Sequence, residues 1–201
     1  MKQETGKTNI PLNINRMSIQ LKRGGHSFSM ANLPASVVEA KFVVLTDKTL
    51  LVPQEEFDES LAANYLRVAG MACSASETPV WSSTKAPIVA IMAADAACMA
   101  SIRGKLGDQA SFTSPLLLMQ AYDDPTVWLY RTESLLYIKV YAPKLCFAEV
   151  VSSPTEIDVV YYMEQLAKEF PLKHYLAHLE GEGRKEIMKP IRHYFREILC
   201  E

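Results

Sequence analysis

The chain has 201 residues, with 21 Lys and Arg against 23 Asp and Glu and a formal net charge of −2. Its 49% hydrophobic and 22% charged residues, with only 8 Gly and 11 Pro, exclude disordered, collagenous and low-complexity classes. A near-neutral balance without a basic stripe argues against a general nucleic-acid binder, so no nucleic-acid partner is expected.

The first 30 residues hold no apolar run of signal-peptide length, which predicts a cytoplasmic location. Residues 1–14 read as a flexible N-terminus. Met17–Leu21 and His26–Met30 are short alternating segments. The Arg23-Gly24-Gly25 step between them is hairpin chemistry, because glycine tolerates the positive φ of a tight turn. Val37–Leu45 and Thr49–Val52 follow as strands rich in β-branched and aliphatic residues, closed by Pro53. Over Gln54–Ala69, Phe57, Leu61, Tyr65 and Val68 recur at three- and four-residue spacing, predicting an amphipathic helix with an acidic first turn.

The longest apolar run, Ala86–Ala100, is shorter than the roughly 20 residues of a membrane span and contains Asp95, so no membrane partner is expected. It predicts a buried strand over Pro87–Met92 and a helix over Asp95–Leu106, stopped by Gly107. Cys73, Cys98, Cys146 and Cys200 are scattered, which fits reduced thiols better than a disulfide frame or zinc site.

Residues 108–125 connect to a second half that runs through the same order. Thr126–Arg131, Leu135–Tyr141 and Lys144–Val151 predict three strands, turned at Glu133-Ser134 and Ala142-Pro143. Ser153-Pro154-Thr155-Glu156 opens a helix that carries Ile157, Val160, Tyr161, Met163, Ala167 and Phe170. His174–Leu179 predicts a strand, Gly181–Gly183 a turn, and Arg184–Leu199 a last helix. Both halves therefore read strand-strand-strand-helix-strand-helix. The expected fold is α/β, with two ribonuclease-H-like lobes in tandem over 15–110 and 111–201. That is a trimmed actin-like ATPase arrangement. A dinucleotide fold would need strand–helix alternation and a G-x-G-x-x-G turn, which the chain lacks.

The stretches RMSIQLKRGGHSFSM, KTLLVPQEEFDES and KLCFAEVVSSPTEIDVVYYMEQL resemble an uncharacterised, mostly Bacteroidota family with a degenerate actin-like ATPase fold. The resemblance runs from Arg16 to the C-terminus and implies the same two-lobed fold, with trimmed lobes and a shallow cleft. A working member of that fold holds its phosphates with two hairpins, each bringing an Asp and a Gly or hydroxyl residue to the cleft. Here the first hairpin keeps Gly24, Gly25 and Ser27 but has no Asp on its strand. The second offers Thr132 without Asp-x-Gly, and the adenosine loop reads Gly181-Glu182-Gly183. These six residues, Gly24, Gly25, Ser27, Thr132, Gly181 and Gly183, are the candidate ligands should a nucleotide bind.

A nuclease of the ribonuclease-H type needs strand carboxylates to hold two metals, and neither MSIQL nor TVWLYR carries one. His174, His178 and His193 are the remaining metal candidates. The segment lacks the Glu of H-E-x-x-H, so no metal is expected. Cys98, among alanines, reads as a small apolar packing residue. No cofactor follows from these residues. The expectation is a non-catalytic interaction or scaffold protein with an unknown protein partner. The alternative is a nucleotide- or phosphometabolite-binding protein with unorthodox cleft ligands.

Overall fold

A computed structural model describes residues 16–22, 39–118 and 122–200. The expected hairpin segment His26–Met30, with Gly24, Gly25 and Ser27, lies outside the described residues. Eleven strands and four α-helices are described, arranged in three sheets.

In the N-terminal half, β1 (Arg16–Lys22) pairs in parallel with β2 (Glu39–Leu45), with Ile19 opposite Phe42. The short β6 (Ala110–Thr113) adds in parallel on the other edge of β2. A parallel pair needs a crossover rather than a two-residue turn, so the described part of this half is no simple meander. A second sheet places β5 (Ile88–Asp95) between β3 (Thr49–Pro53) and β4 (Glu77–Trp81), antiparallel to both.

The alternation of β5 explains its unbroken apolar run. Ala90, Met92 and Ala94 join the core shared with β1, β2 and β6, while Ile91 and Ala93 join a core with Val52, Ala62 and Leu66. Buried on both faces, the strand has no polar side to show. Asp95 ends it and caps α2 (Ala96–Leu106), its carboxylate accepting the Cys98 N–H at 2.7 Å. Cys98 packs in the core as a small side chain.

Strand β4 was not legible in the sequence because Pro79 interrupts it. The proline is tolerated because β4 is an edge strand. The helix expected over Gln54–Ala69 is a correction. It breaks into 3-10 turns at Gln54–Glu56 and Glu59–Leu61, with α1 confined to Ala62–Val68. Asp58 takes an extended backbone and accepts hydrogen bonds from the Ser60 N–H and hydroxyl, competing with helix continuation. Ala62 and Leu66 face inward, whereas Leu61 and Val68 are exposed.

The C-terminal half is one five-stranded sheet in the order β11-β10-β7-β8-β9. The strands β7 (Thr126–Arg131), β8 (Leu135–Tyr141) and β9 (Leu145–Ser152) form an antiparallel meander. The next strand, β10 (Leu176–Gly181), pairs in parallel with β7. Between them α3 (Glu156–Glu169) opens with a reciprocal cap, Thr155 bonding the Asp158 N–H and Asp158 bonding the Thr155 N–H. Val159, Met163 and Leu166 of α3 pack on the sheet, while Ile157 and Tyr161 are exposed. The last helix is also corrected: α4 spans only Arg184–Ile191, and Glu197–Cys200 forms β11 in parallel with β10. Pro190 inside α4 removes a helical donor, and the chain leaves through a 3-10 turn at Arg192–Tyr194.

The two halves meet on the face of the C-terminal sheet opposite its helices. Val43, Leu45 and Leu116 pack there against Trp128, Tyr137 and Val150. No helix among the described residues is long and apolar enough to cross a membrane.

Candidate functional site

The β7–β8 hairpin turn and the β2–β3 turn face each other across the junction of the halves. Between them lies a cleft of about 260 Å3, walled by Thr46 and Asp47 on one side and Thr132, Glu133, Ser134 and Ser152 on the other. Both walls are fixed from behind. The Tyr137 hydroxyl accepts the Thr46 N–H at 2.9 Å and donates to the Thr46 carbonyl at 3.4 Å. Burial pushes that phenol well above its ordinary pKa, so it stays protonated and able to donate. On the opposite wall, Thr132 Oγ1 accepts the Leu135 N–H at 3.1 Å, and the Ser153 N–H donates to the Ser134 carbonyl at 2.8 Å.

Among the described residues, the lining includes two carboxylates and no Lys or Arg. Lys48 and Arg131, next to the lining in sequence, are engaged with other groups. Lys48 Nζ lies 2.6 Å from Glu77 Oε2 and donates to the Ala72 carbonyl at 2.8 Å. Arg131 Nη1 donates to the Gly183 carbonyl at 3.2 Å.

That contact explains the Gly181-Glu182-Gly183 turn. Gly181 has φ of 88° and sits opposite Arg131 in the β10–β7 register. A Cβ there would lie 2.0 Å from the Arg131 carbonyl oxygen, and one on Gly183 would lie 2.6 Å from Arg131 Nη1. The Glu182 N–H donates to the Arg131 carbonyl at 2.9 Å, and Arg184 Nη1 donates to the Gly181 carbonyl at 2.9 Å. Two guanidinium groups of the chain itself therefore clamp the turn.

Thr132, Gly181 and Gly183 are thus brought to one end of the sheet, linked through Arg131. Gly24, Gly25 and Ser27 lie outside the described residues. His174 is exposed on a 3-10 turn before β10 rather than on the strand with His178. The His178 ring lies 4.8 Å from that of Tyr122, and the exposed His193 lies 4.0 Å from Tyr194. Among the described residues no group of three or more His, Cys, Asp or Glu is arranged to hold a metal.

Two features escaped the sequence reading. Asp47 was legible only as part of a polar Thr-Asp-Lys step, and nothing local says that it lines one cleft with Glu133. Lys139 lies within the apolar strand LLYIKVY, yet it is fully buried. Its Nζ sits 4.0 Å from the Trp128 ring centre and donates to the Leu118 carbonyl at 2.5 Å. Burial pulls its pKa down to about 8, partly offset by Glu180, which accepts the Trp128 indole N–H at 2.7 Å. A lone lysine on an otherwise aromatic strand face was the available signal.

No protein-family model and no curated protein matches this chain. Among solved structures it is similar to a Bacteroides thetaiotaomicron protein with actin-like ATPase fold and unknown function. The TM-score is 0.68 at 15% identity, over 81% of this chain and 68% of that one. The cytoplasmic domain of EpsL, an inner membrane component of the type II secretion system of Vibrio cholerae, gives 0.47 at 8% identity, over 92% and 84%. The first of these likenesses shows the fold: the chain is a mixed α/β protein similar to the actin-like ATPase fold.

Proposed function

We propose that this protein is a non-catalytic interaction or scaffold protein, working in the cytoplasm through contacts with a protein partner. On this reading the chain comprises two trimmed ribonuclease-H-like lobes, 15–110 and 111–201. The strand order β11-β10-β7-β8-β9, with α3 and α4 as the crossovers, supports that division for the second lobe.

One observation carries the functional reading. The three described candidate nucleotide ligands are committed inside the fold: Thr132 bonds Leu135, while Gly181 and Gly183 make room for Arg131. Glycines that a nucleotide loop would use for close backbone approach here accommodate the chain's own arginine.

A nucleotide- or phosphometabolite-binding role is favoured only by Asp47 and Glu133, two cleft carboxylates able to orient a hydrated Mg2+. A thermal-shift titration with ATP, ADP and GTP, with and without Mg2+, separates the readings. Ligand at 100 times its Kd would add about 2.7 kcal/mol, roughly 5–10 °C for a chain of this size. No shift is expected, and a saturable Mg2+-dependent shift would overturn the scaffold reading.

A further inference from the structure

Charge and exposed apolar surface meet on two outer layers of the molecule, and strand alternation fixes where those layers lie. Val127 and Leu129 of β7 face the core under α3 and α4, whereas Trp128 faces β2. Phe42 and Val44 of β2 point away from Trp128, into a core with Met92 of β5. Ile91, on the other side of β5, faces α1. Helices α3 and α4 therefore form one outer layer and α1 the opposite one.

The outer side of α4 is basic. Residues 184–196 hold five Lys and Arg against one Glu, in a chain of net charge −2. Lys185, Met188, Lys189 and Arg192 recur at three- and four-residue spacing and are exposed, whereas Ile187 and Ile191 are buried. A groove of about 340 Å3 opens beside Met188, lined by Phe195, Ile198, Arg192, Arg196 and Glu197. The α1 layer is acidic. Residues 54–69 hold Glu55, Glu56, Asp58 and Glu59 against Arg67, and all five are exposed. The Tyr65 hydroxyl fixes that acidic turn to α1, donating to the Glu56 carbonyl and accepting the Asp58 N–H. Beside the turn, Leu61 and Val68 are 44% and 72% exposed. Arg196 is paired with Asp124. Among the described residues, the side chains of Lys185, Lys189, Arg192, Glu55, Glu56 and Glu59 have no hydrogen bond or ion pair.

Two faces of opposite charge on opposite sides of one molecule cannot meet within it, but each complements the other on a second copy. We infer that these faces form a head-to-tail contact between copies of this chain. The basic stripe of α4 docks on the acidic turn of the next copy, and Leu61 and Val68 meet Met188 at the groove. The contact is heterologous, so each assembly keeps one free face of either kind and grows with concentration. The inference rests on the proposed function and names its protein partner as a second copy of the chain.

The test is sedimentation velocity of the full chain at concentrations up to roughly 0.5 mM. Mean mass is expected to rise beyond that of a dimer at about 0.1 M NaCl. It should fall at about 1 M, where the Debye length shrinks from about 10 Å to about 3 Å. Lys185→Glu, Lys189→Glu and Arg192→Glu together make both faces acidic. Glu55→Lys, Glu56→Lys and Glu59→Lys together make both basic. Each triple variant alone should sediment as a monomer, and an equal mixture of the two should associate. Lys189→Gln and Glu56→Gln, milder changes at exposed sites, should each weaken association and decide the matter if a triple variant does not fold. The inference is overturned by a monomer at every concentration in low salt, by a dimer that grows no further, by undiminished assembly of the variants, or by a mixture of the folded triple variants that stays monomeric. A nucleotide-induced thermal shift with assembly intact would overturn the scaffold reading alone. A monomer without a nucleotide shift would overturn self-association alone.

Discussion

The two halves of this protein solve the same packing problem differently. The C-terminal half keeps one five-stranded sheet and covers one face with α3 and α4, leaving the other for the junction. The N-terminal half divides its described strands between two three-stranded sheets, and β5 serves two cores at once. A continuous sheet brings its turns together at one end, where Thr132, Gly181 and Gly183 meet through Arg131. A divided one offers the cleft a single turn, Thr46-Asp47-Lys48, which is held in place by Tyr137 of the other half.

The sharpest way to break this comparison is at the C-terminal turn. Gly181→Ala would drive a methyl group into the Arg131 backbone at a positive φ, and we expect a loss of about 3 kcal/mol or more. Gly70 in the N-terminal half has φ of 76° but open space around it, so Gly70→Ala should cost only about 1–2 kcal/mol. Equal midpoints of the two variants in urea unfolding would show that close approach to Arg131 does not constrain the turn.

A smaller effect is expected at the junction. Tyr137→Phe removes the hydroxyl that serves both backbone groups of Thr46, at a cost of about 1–3 kcal/mol. If denaturant unfolding of Tyr137→Phe matched the wild type, this hydrogen bond would add nothing net, leaving the apolar junction and the Gln20–Tyr130 hydrogen bond to hold the halves.

The smallest effect belongs to Lys139. Replacing this buried cation by an apolar side chain of similar length removes a desolvation cost along with a hydrogen bond to Leu118, so Lys139→Met should lie within about 1 kcal/mol of wild type at pH 7. Its pH dependence is more telling. With a folded pKa of about 8 against 10.5 unfolded, the unfolded chain binds more protons between these values. Wild-type stability should therefore gain a rising contribution from pH 8 upward that Lys139→Met lacks. Tyr137, whose pKa is raised by burial, opposes this above pH 10, because the unfolded chain then loses its phenolic proton first. Parallel stability curves for wild type and Lys139→Met between pH 8 and 10 would disprove the assignment.

Much of the C-terminal half was legible in the sequence. Strands β7 and β8 match the expected boundaries, and a helix was expected to open at Ser153-Pro154, whereas α3 starts at Glu156 with Thr155 as its cap. Helix α2 was also legible: it was expected over Asp95–Leu106 with Gly107 as its stop, and it spans Ala96–Leu106 with Asp95 as its cap. The errors lie where the periodicity was real but the context overrode it. The three- and four-residue spacing of Gln54–Ala69 did not prevent Asp58 from breaking the helix, and apolar spacing in Arg184–Leu199 concealed strand β11. Of the candidate site, Thr132 and the Gly181–Gly183 turn were visible as turn chemistry. Asp47 and Glu133 were not visible as a pair, because they share a cleft only after the halves pack.

The sequence by itself determined the class of the fold, the meander of the second half and the presence of the helices α2 and α3. These depend on backbone torsions and hydrogen bonds between residues a few positions apart. The tertiary structure alone decided that β1 lies parallel to β2, that Glu197–Cys200 is a fifth strand, and that Arg131 fills the turn at Gly181. It also brought Thr46 to Tyr137, 91 residues away, and with them the two carboxylates of the cleft. Those outcomes depend on which surfaces are buried together. A strand's alternation states that it has a face to bury, and only the packed molecule supplies the partner.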